Sequence, residues 1–229
     1  MKVAILGGSG LIGQECVKQL CAEAAIDEVI SVSRRSLGIG DGKLSERIDL
    51  AFDLPKLCHS LPVEHAICSF GTTMKQAKTR EQFEAIDLQY PLLFARHLRE
   101  QGVAHFHLVS SIGASKLSGN FYLKTKGRLE DEMGKLGFTS LHIYRPSLLL
   151  GQRTERRIGE RLAGTVLGGM GPLFPSWLLN YRPIEAARVA EIIVGRILNG
   201  EQEGLHIWEN NALHRGYQVP KKVKTSPFY

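Results

Sequence analysis

Lys2-Val-Ala-Ile-Leu6-Gly7-Gly8-Ser9-Gly10-Leu11-Ile12-Gly13 is the stretch that decides the fold. A short apolar run that stops at a glycine cluster is how a strand buried on both faces reads before a tight turn. The residues after it, from Leu11 to about Ala22, carry the apolar spacing of a helix. The glycines fit two registers, Gly8-x-Gly10-x-x-Gly13 and Gly7-x-x-Gly10-x-x-Gly13, and both match loops that cradle a pyrophosphate. Glycine permits the sharp turn and close packing of helix on sheet, while backbone N–H groups at the helix N-terminus favour an anion. Gly7, Ser9, Gly10, Leu11 and Ile12 are therefore candidate dinucleotide-binding residues.

Further apolar runs of strand length recur at Val29 to Val32, Arg47 to Leu50, Ala66 to Phe70, His105 to Val109 and Leu141 to Tyr144. Helix-like segments lie between most of them, the clearest being Glu81 to Gln101, ended by Gly102, and Tyr122 to Leu136, ended by Gly137. This alternation predicts a doubly wound α/β fold, a parallel sheet with helices on both faces. After Gly151 the character changes to an arginine-rich stretch from Thr154 to Leu167 and a Gly/Pro-rich break from Gly168 to Pro172. A helix from Ile184 to Leu198 and a strand from Leu205 to Trp208 follow. The expected organisation is one nucleotide-binding domain over 1–213, in which 151–213 builds a small substrate lobe, with a basic tail over 214–229.

The second strand should end beside the adenosine ribose, where an acid usually binds the 2′-hydroxyl of NAD. This chain has Ser33-Arg34-Arg35 there. Two guanidinium groups suit a 2′-phosphate, so the reading favours NADP(H) over NAD(H). Asp49 and Leu50, at the end of the third strand, are placed to meet the adenine, with Asp53 as the alternative.

Tyr122 and Lys126, four apart at the start of a helix, share one face. A tyrosine with a pKa of about 10 is a poor proton carrier at neutral pH, and a nearby ammonium makes it a usable general acid/base. Val109-Ser110-Ser111 stands upstream at the carboxyl end of a strand, where open α/β sheets place their ligands, and a hydroxyl there can hold a carbonyl oxygen.

With the glycine loop, Cys68-Ser-Phe-Gly-Thr-Thr73, Val109-Ser-Ser-Ile-Gly-Ala114, Tyr122-x-x-x-Lys126, Tyr144-Arg-Pro-Ser147 and Gly151-Gln-Arg153, the sequence resembles the short-chain dehydrogenase/reductase superfamily. It is similar to the atypical or extended branch, in particular to the Tat-interacting-protein-like oxidoreductases and their bacterial relatives. The resemblance implies Tyr122 as acid/base, Lys126 binding the nicotinamide ribose and tuning the tyrosine, and Ser111, or in its place Ser110, on the carbonyl. It also implies Phe70, Gly71 and Thr72 under the ribose, Pro146 and Ser147 beside the nicotinamide, and a homodimer through the two long helices. Relatives often carry asparagine where this chain has Asp87.

The expected activity is hydride transfer between NADPH and a small carbonyl or alcohol. A nucleotide-sugar epimerase or dehydratase, and an NADPH-sensing binding protein with little turnover, are the alternatives. The 229 residues carry 29 Lys+Arg against 23 Asp+Glu and are 43% hydrophobic, which excludes an intrinsically disordered chain. The four cysteines show no metal or disulfide framework, and His59, His65, His97, His105 and His107 show no ligand spacing. Arg153, Arg156, Arg157 and Arg161 alternate with Glu155 and Glu160, which reads as a solvated face more than as an anion site. The net charge of +6 comes without aromatic interleaving, so no nucleic-acid partner is expected. No apolar run approaches the ~18 residues that cross a bilayer, and Val3 to Leu6 is too short for a signal-peptide core, so the expectation is a cytoplasmic protein without membrane attachment.

Overall fold

Val3, Ala4, Ile5 and Leu6 are fully buried, which places the first strand, β1 (Lys2–Leu6), at the centre of a sheet covered on both faces. The structure, a computed structural model, describes residues 1–151, 181–200 and 202–216. From β1 the chain runs through helix α1 (Leu11–Ala22) to β2 (Glu28–Ser33) and β3 (Leu44–Ile48), and a short helix α2 (Leu54–Leu57) leads back to β4 (His65–Cys68). Two short helices, α3 (Met74–Ala77) and α4 (Arg80–Glu84), a π-helical segment (Ala85–Gln89) and α5 (Tyr90–Glu100) precede β5 (His105–Val109). Helix α6 (Phe121–Gly134), β6 (Ser140–Arg145) and a two-residue strand β7 (Leu149–Leu150) complete the first described segment. The later segments hold β8 (Ile184–Glu185), α7 (Ala186–Asn199), β9 (Gly204–Glu209) and α8 (Asn210–Arg215).

Seven strands pair in the order β3-β2-β1-β4-β5-β6-β9, all parallel, while β7 and β8 pair apart from them. One face packs Val3, Ile5 and Ile67 against Cys16 and Leu20 of α1 and Val189 and Ile193 of α7. The other packs Ala4, Leu6 and Cys68 against Leu92 and Phe94 of α5 and Leu129 and Met133 of α6. The doubly wound α/β expectation is met. The chain leaves β1 toward β2 and β3, then crosses back to β4 on the other side, so a crevice opens at the carboxyl ends of β1 and β4.

Several boundaries differ from the sequence reading: the helix expected from Ile184 starts at Ala186, after the strand β8, and His214 and Arg215, expected in the basic tail, close α8. The third strand is Leu44–Ile48, not Arg47 to Leu50, because as an edge strand it leaves most of its side chains in solvent and shows no continuous apolar run. The fourth ends at Cys68, so Phe70 stands in the loop beyond it. The long helix expected over Glu81 to Gln101 widens into a π turn at its centre.

Across β4, β5, β6 and β9, imidazoles stack in a row, with ring centroids 4.8 Å apart for His65 and His105, 5.3 Å for His107 and His142, and 4.8 Å for His142 and His206. Among the described residues no group of His, Cys, Asp and Glu could hold a metal, and no helix is long and apolar enough to cross a membrane. The arginines from 153 to 161, the Gly168 to Pro172 break and the tail beyond Gly216 lie outside the described residues.

Candidate active site

Gly7 turns with φ +94°, and its backbone runs so close to the next loop that a Cβ there would sit 2.5 Å from the Phe70 nitrogen. A Cβ on Gly13 would lie 2.1 Å from the Gly7 carbonyl oxygen, so both glycines are required by contact. Gly10 is the N-cap of α1, with no side-chain cap and no acidic residue in the first turn. The helix therefore presents its amides uncapped, which suits an anion. Gly7, Ser9 and Gly10 line a cleft of about 630 Å³. Ile12 is buried in the core and Leu11 packs beside it, so these two offer the cleft backbone only.

An adjoining cavity of about 460 Å³ is lined by Ser33, Arg34, Arg35 and Ser36. Both arginines are exposed, and the Arg34 guanidinium stands 6.0 Å from the Phe52 ring centroid. The Ser33 hydroxyl donates to the Arg35 carbonyl at 2.7 Å and shapes this turn. Leu50 lines the cleft. Asp49 does not, because its carboxylate accepts from the Asp53 N–H at 3.0 Å and closes a local turn. Asp53 in turn caps α2 by accepting from the Lys56 N–H. Neither acid is therefore aimed at a base.

In their place an aromatic wall forms. Phe52 stacks on Phe70 at 5.3 Å and meets Tyr90 edge-on at 5.1 Å. Phe52 adopts φ +57°, a left-handed conformation that a bulky side chain takes only under tertiary constraint. Sequence reasoning missed Phe52 and Tyr90. The one signal was aromatic residues recurring near strand ends, which also marks ordinary core.

Ser110 and Ser111 follow β5, with Ser110 buried and Ser111 half-buried. Helix α6 begins with Asn120 as its cap, accepting from the Leu123 N–H at 3.2 Å, and brings Tyr122 and Lys126 toward the same end of the sheet. It approaches closely because residue 127 is glycine, where a Cβ would lie 2.2 Å from the Ser115 carbonyl carbon.

Lys126 is buried, and its ammonium lies 2.8 Å from Oδ1 of Asp87, which has no exposed surface. Oδ2 of Asp87 accepts the Thr72 N–H at 2.8 Å. Burial pulls the Lys126 pKa down, but the Asp87 carboxylate and Tyr122 outweigh it and hold it above the ordinary lysine value. Cys68, just below, is pushed up to about 12 by burial and is a neutral thiol.

Phe70, Gly71 and Thr72 line the main cleft. Pro146 is buried, with its carbonyl accepting the Ile112 N–H at 3.0 Å. Ser147 donates its hydroxyl to the Arg182 carbonyl, while its N–H goes to Asn210 at 3.0 Å. The Ser147 side chain is thus committed to holding the later segments against β6.

Across 219 residues the chain is 30% identical to Protein HTATIP2 of Rattus norvegicus, covering 93% of this chain and 88% of that one. The chain belongs to the HTATIP2 family. No family profile matches it. Another relative is Protein FMP52, mitochondrial, of Candida albicans, 31% identical over 210 residues, with 88% of this chain and 91% of that one covered.

The fungal names overturn the expectation of a cytoplasmic protein: several relatives are named as mitochondrial. The length of an apolar run does not by itself specify a compartment. Solved structures of similar fold include MoeE5 in complex with UDP-glucuronic acid and NAD (TM-score 0.68, 16% identity, 90% of this chain and 75% of that one). UDP-glucose 4-epimerase from Bifidobacterium longum, in complex with NAD+ and UDP, is another (TM-score 0.64, 14% identity, 90% and 77%). At these identities the likeness is one of fold.

Proposed function

We propose that this HTATIP2-family chain is an NADPH-dependent oxidoreductase acting on a small carbonyl or alcohol. The observation that carries the reading is the buried Lys126 ammonium on the helix face of Tyr122, at the sheet end where the glycine-loop cleft opens. The residues fit the cofactor: uncapped amides at α1 for the pyrophosphate, exposed arginines for a 2′-phosphate, and an open aromatic-walled cleft between them.

When bound, the dinucleotide supplies hydride at nicotinamide C4. Gly7, Ser9 and Gly10 hold the pyrophosphate, and Arg34 and Arg35 hold the 2′-phosphate. Leu50 and Phe52 would hold the adenine, and Phe70, Gly71 and Thr72 the ribose. Lys126 orients the nicotinamide ribose, Ser111 donates to the carbonyl oxygen, and Tyr122 passes the proton. Buried Pro146 forms the wall beside the nicotinamide.

The test is calorimetric titration of dinucleotide-stripped protein with NADPH and with NADH. NADPH should bind at least about tenfold tighter, and the paired Arg34→Ala/Arg35→Ala variant should lose most of that margin, since charge-assisted bonds contribute about 1.5–3 kcal/mol each. Tyr122→Phe should keep NADPH binding and lose about 10²-fold or more in carbonyl reduction. Binding of neither nucleotide would sink the reading. Dinucleotide retained through purification and not consumed would point to an epimerase, and binding without turnover in any carbonyl screen to a sensing protein.

A further inference from the structure

We propose that Glu46 is a positioning residue for the 2′-phosphate: it clamps the turn that carries Arg34 and Arg35, and so sets the choice between NADPH and NADH without touching the ligand. The proposal rests on the reading of those two arginines as the 2′-phosphate site.

The connection from β2 to β3 that carries them runs Arg34-Arg35-Ser36-Leu37-Gly38-Ile39-Gly40-Asp41-Gly42. Three glycines in its second half give the backbone wide conformational freedom. A Cβ at Gly38, Gly40 or Gly42 would meet no described atom within 4 Å, so close packing does not fix the loop at these points. Such a loop holds two arginines in one place only if the chain beside them is tethered.

The tethers are there on both sides. The Ser33 hydroxyl donates to the Arg35 carbonyl at 2.7 Å. Just beyond the arginines, one carboxylate of β3 takes two donors. Oε2 of Glu46 accepts the Ser36 hydroxyl at 2.7 Å, and Oε1 accepts the Leu37 N–H at 2.6 Å. The Ser36 oxygen in turn accepts the Gly38 N–H at 3.1 Å, which closes a local turn. Leu37 packs on the α1 side of the sheet, and the bond from its N–H to Glu46 fixes the direction in which the chain leaves the arginines. Arg34 and Arg35 therefore stand between two held points, with their side chains exposed.

Glu46 is itself placed by the sheet. It pairs in register with Ser31 of β2 and is half-buried. An acid so near two arginines in the chain weakens their attraction for a phosphate. Here both its oxygens are taken by loop donors, so its contribution is order: a phosphate that had to fix the turn for itself would bind more weakly.

The experiment is calorimetric titration of the dinucleotide-stripped chain with NADPH and with NADH, in wild type, Glu46→Gln and Glu46→Ala. The readout is the ratio of the two dissociation constants. A general loss of stability does not move that ratio, because both nucleotides need the same fold. The two variants lack the same charge, but glutamine keeps an acceptor for the Leu37 N–H and a partner for Ser36, so the difference between them isolates the clamp. The preference for NADPH should be at least about fivefold smaller in Glu46→Ala than in Glu46→Gln, with NADH affinity alike within about threefold in all three proteins.

Equal ratios in the two variants overturn the proposal. So does an equal fall in NADPH and NADH affinity in Glu46→Ala, which would make Glu46 a support of the whole site. The wild-type ratio keeps the underlying reading apart: no preference for NADPH there retires the 2′-phosphate site and the proposal with it. A wild-type preference with equal ratios in the variants leaves that site standing and removes Glu46 from it.

Discussion

The two ends of the proposed cofactor site handle positive charge in opposite ways. At the adenosine end Arg34 and Arg35 stand in solvent, and among the described residues no ion pair engages either guanidinium. At the other end Lys126 is buried, and Asp87 holds it at 2.8 Å. Exposed, unpaired cations are available to an anionic ligand, and their cost to the fold is small. A buried ammonium is tolerated only with a partner, so its charge is compensated before any ligand arrives. Under the proposed function, one end serves affinity and the other chemistry.

The largest effect that would break this comparison is on stability. Lys126→Ala strands the Asp87 carboxylate in the core with only the Thr72 N–H, and breaking a buried pair from one side costs about 3–5 kcal/mol. Arg34→Ala and Arg35→Ala should leave the urea midpoint where it is. Equal losses at the two ends would mean that the arginines are structural and that the adenosine end is no anion site.

The same contrast explains what could be read in advance. β1, the glycine loop and α1 were legible because burial on both faces and close backbone approach leave few residue choices, and Gly7 and Gly13 occupy positions where a side chain would collide. Tyr122, Lys126 and the serines were legible as a spacing on a helix and a strand end. The partner of Lys126 was not. Asp87 lies 39 positions earlier in the chain, and only the π turn and the packing of α5 against α6 bring it to the ammonium. As a sequence feature it stood out only as an acid where relatives often have asparagine. Asp49 failed in the reverse sense, because an acid at a strand end can serve its own turn as readily as a ligand. The edge strand β3 was misplaced because exposure erases the apolar run that marks a buried strand.

Salt sharpens the comparison with a smaller effect. The proposed preference for NADPH over NADH, resting on two solvent-exposed guanidinium groups, should shrink by about tenfold between low and molar salt as screening closes in. A preference that persists unchanged at molar salt would mean that the 2′-phosphate is held by hydrogen bonds in an enclosed site and not by exposed charge.

Alkali gives the smallest effect and acts at the buried end. Cys68 is pushed from 9.0 to about 12 by burial next to the ion pair. Where the unfolded chain has released this proton and the folded chain has not, the unfolded state binds fewer protons, so stability falls as pH rises. The contribution is intact below about pH 9 and is lost progressively toward 12. Lys126 carries the same sign in a higher window, since its raised value keeps its stabilisation whole below 10.5 and gives it up above. At pH 10 the thiol has begun to act and Lys126 has not; Cys16, Cys21 and Cys58, also raised by burial, act alike in both proteins, and Cys68→Ala should lose about 1 kcal/mol less than wild type between pH 8 and pH 10, read from urea unfolding at the two values. An equal loss in both proteins would mean that Cys68 ionises in the folded chain. The thiolate would then be a second negative charge beside Lys126, and Asp87 could no longer be the carboxylate that alone balances it.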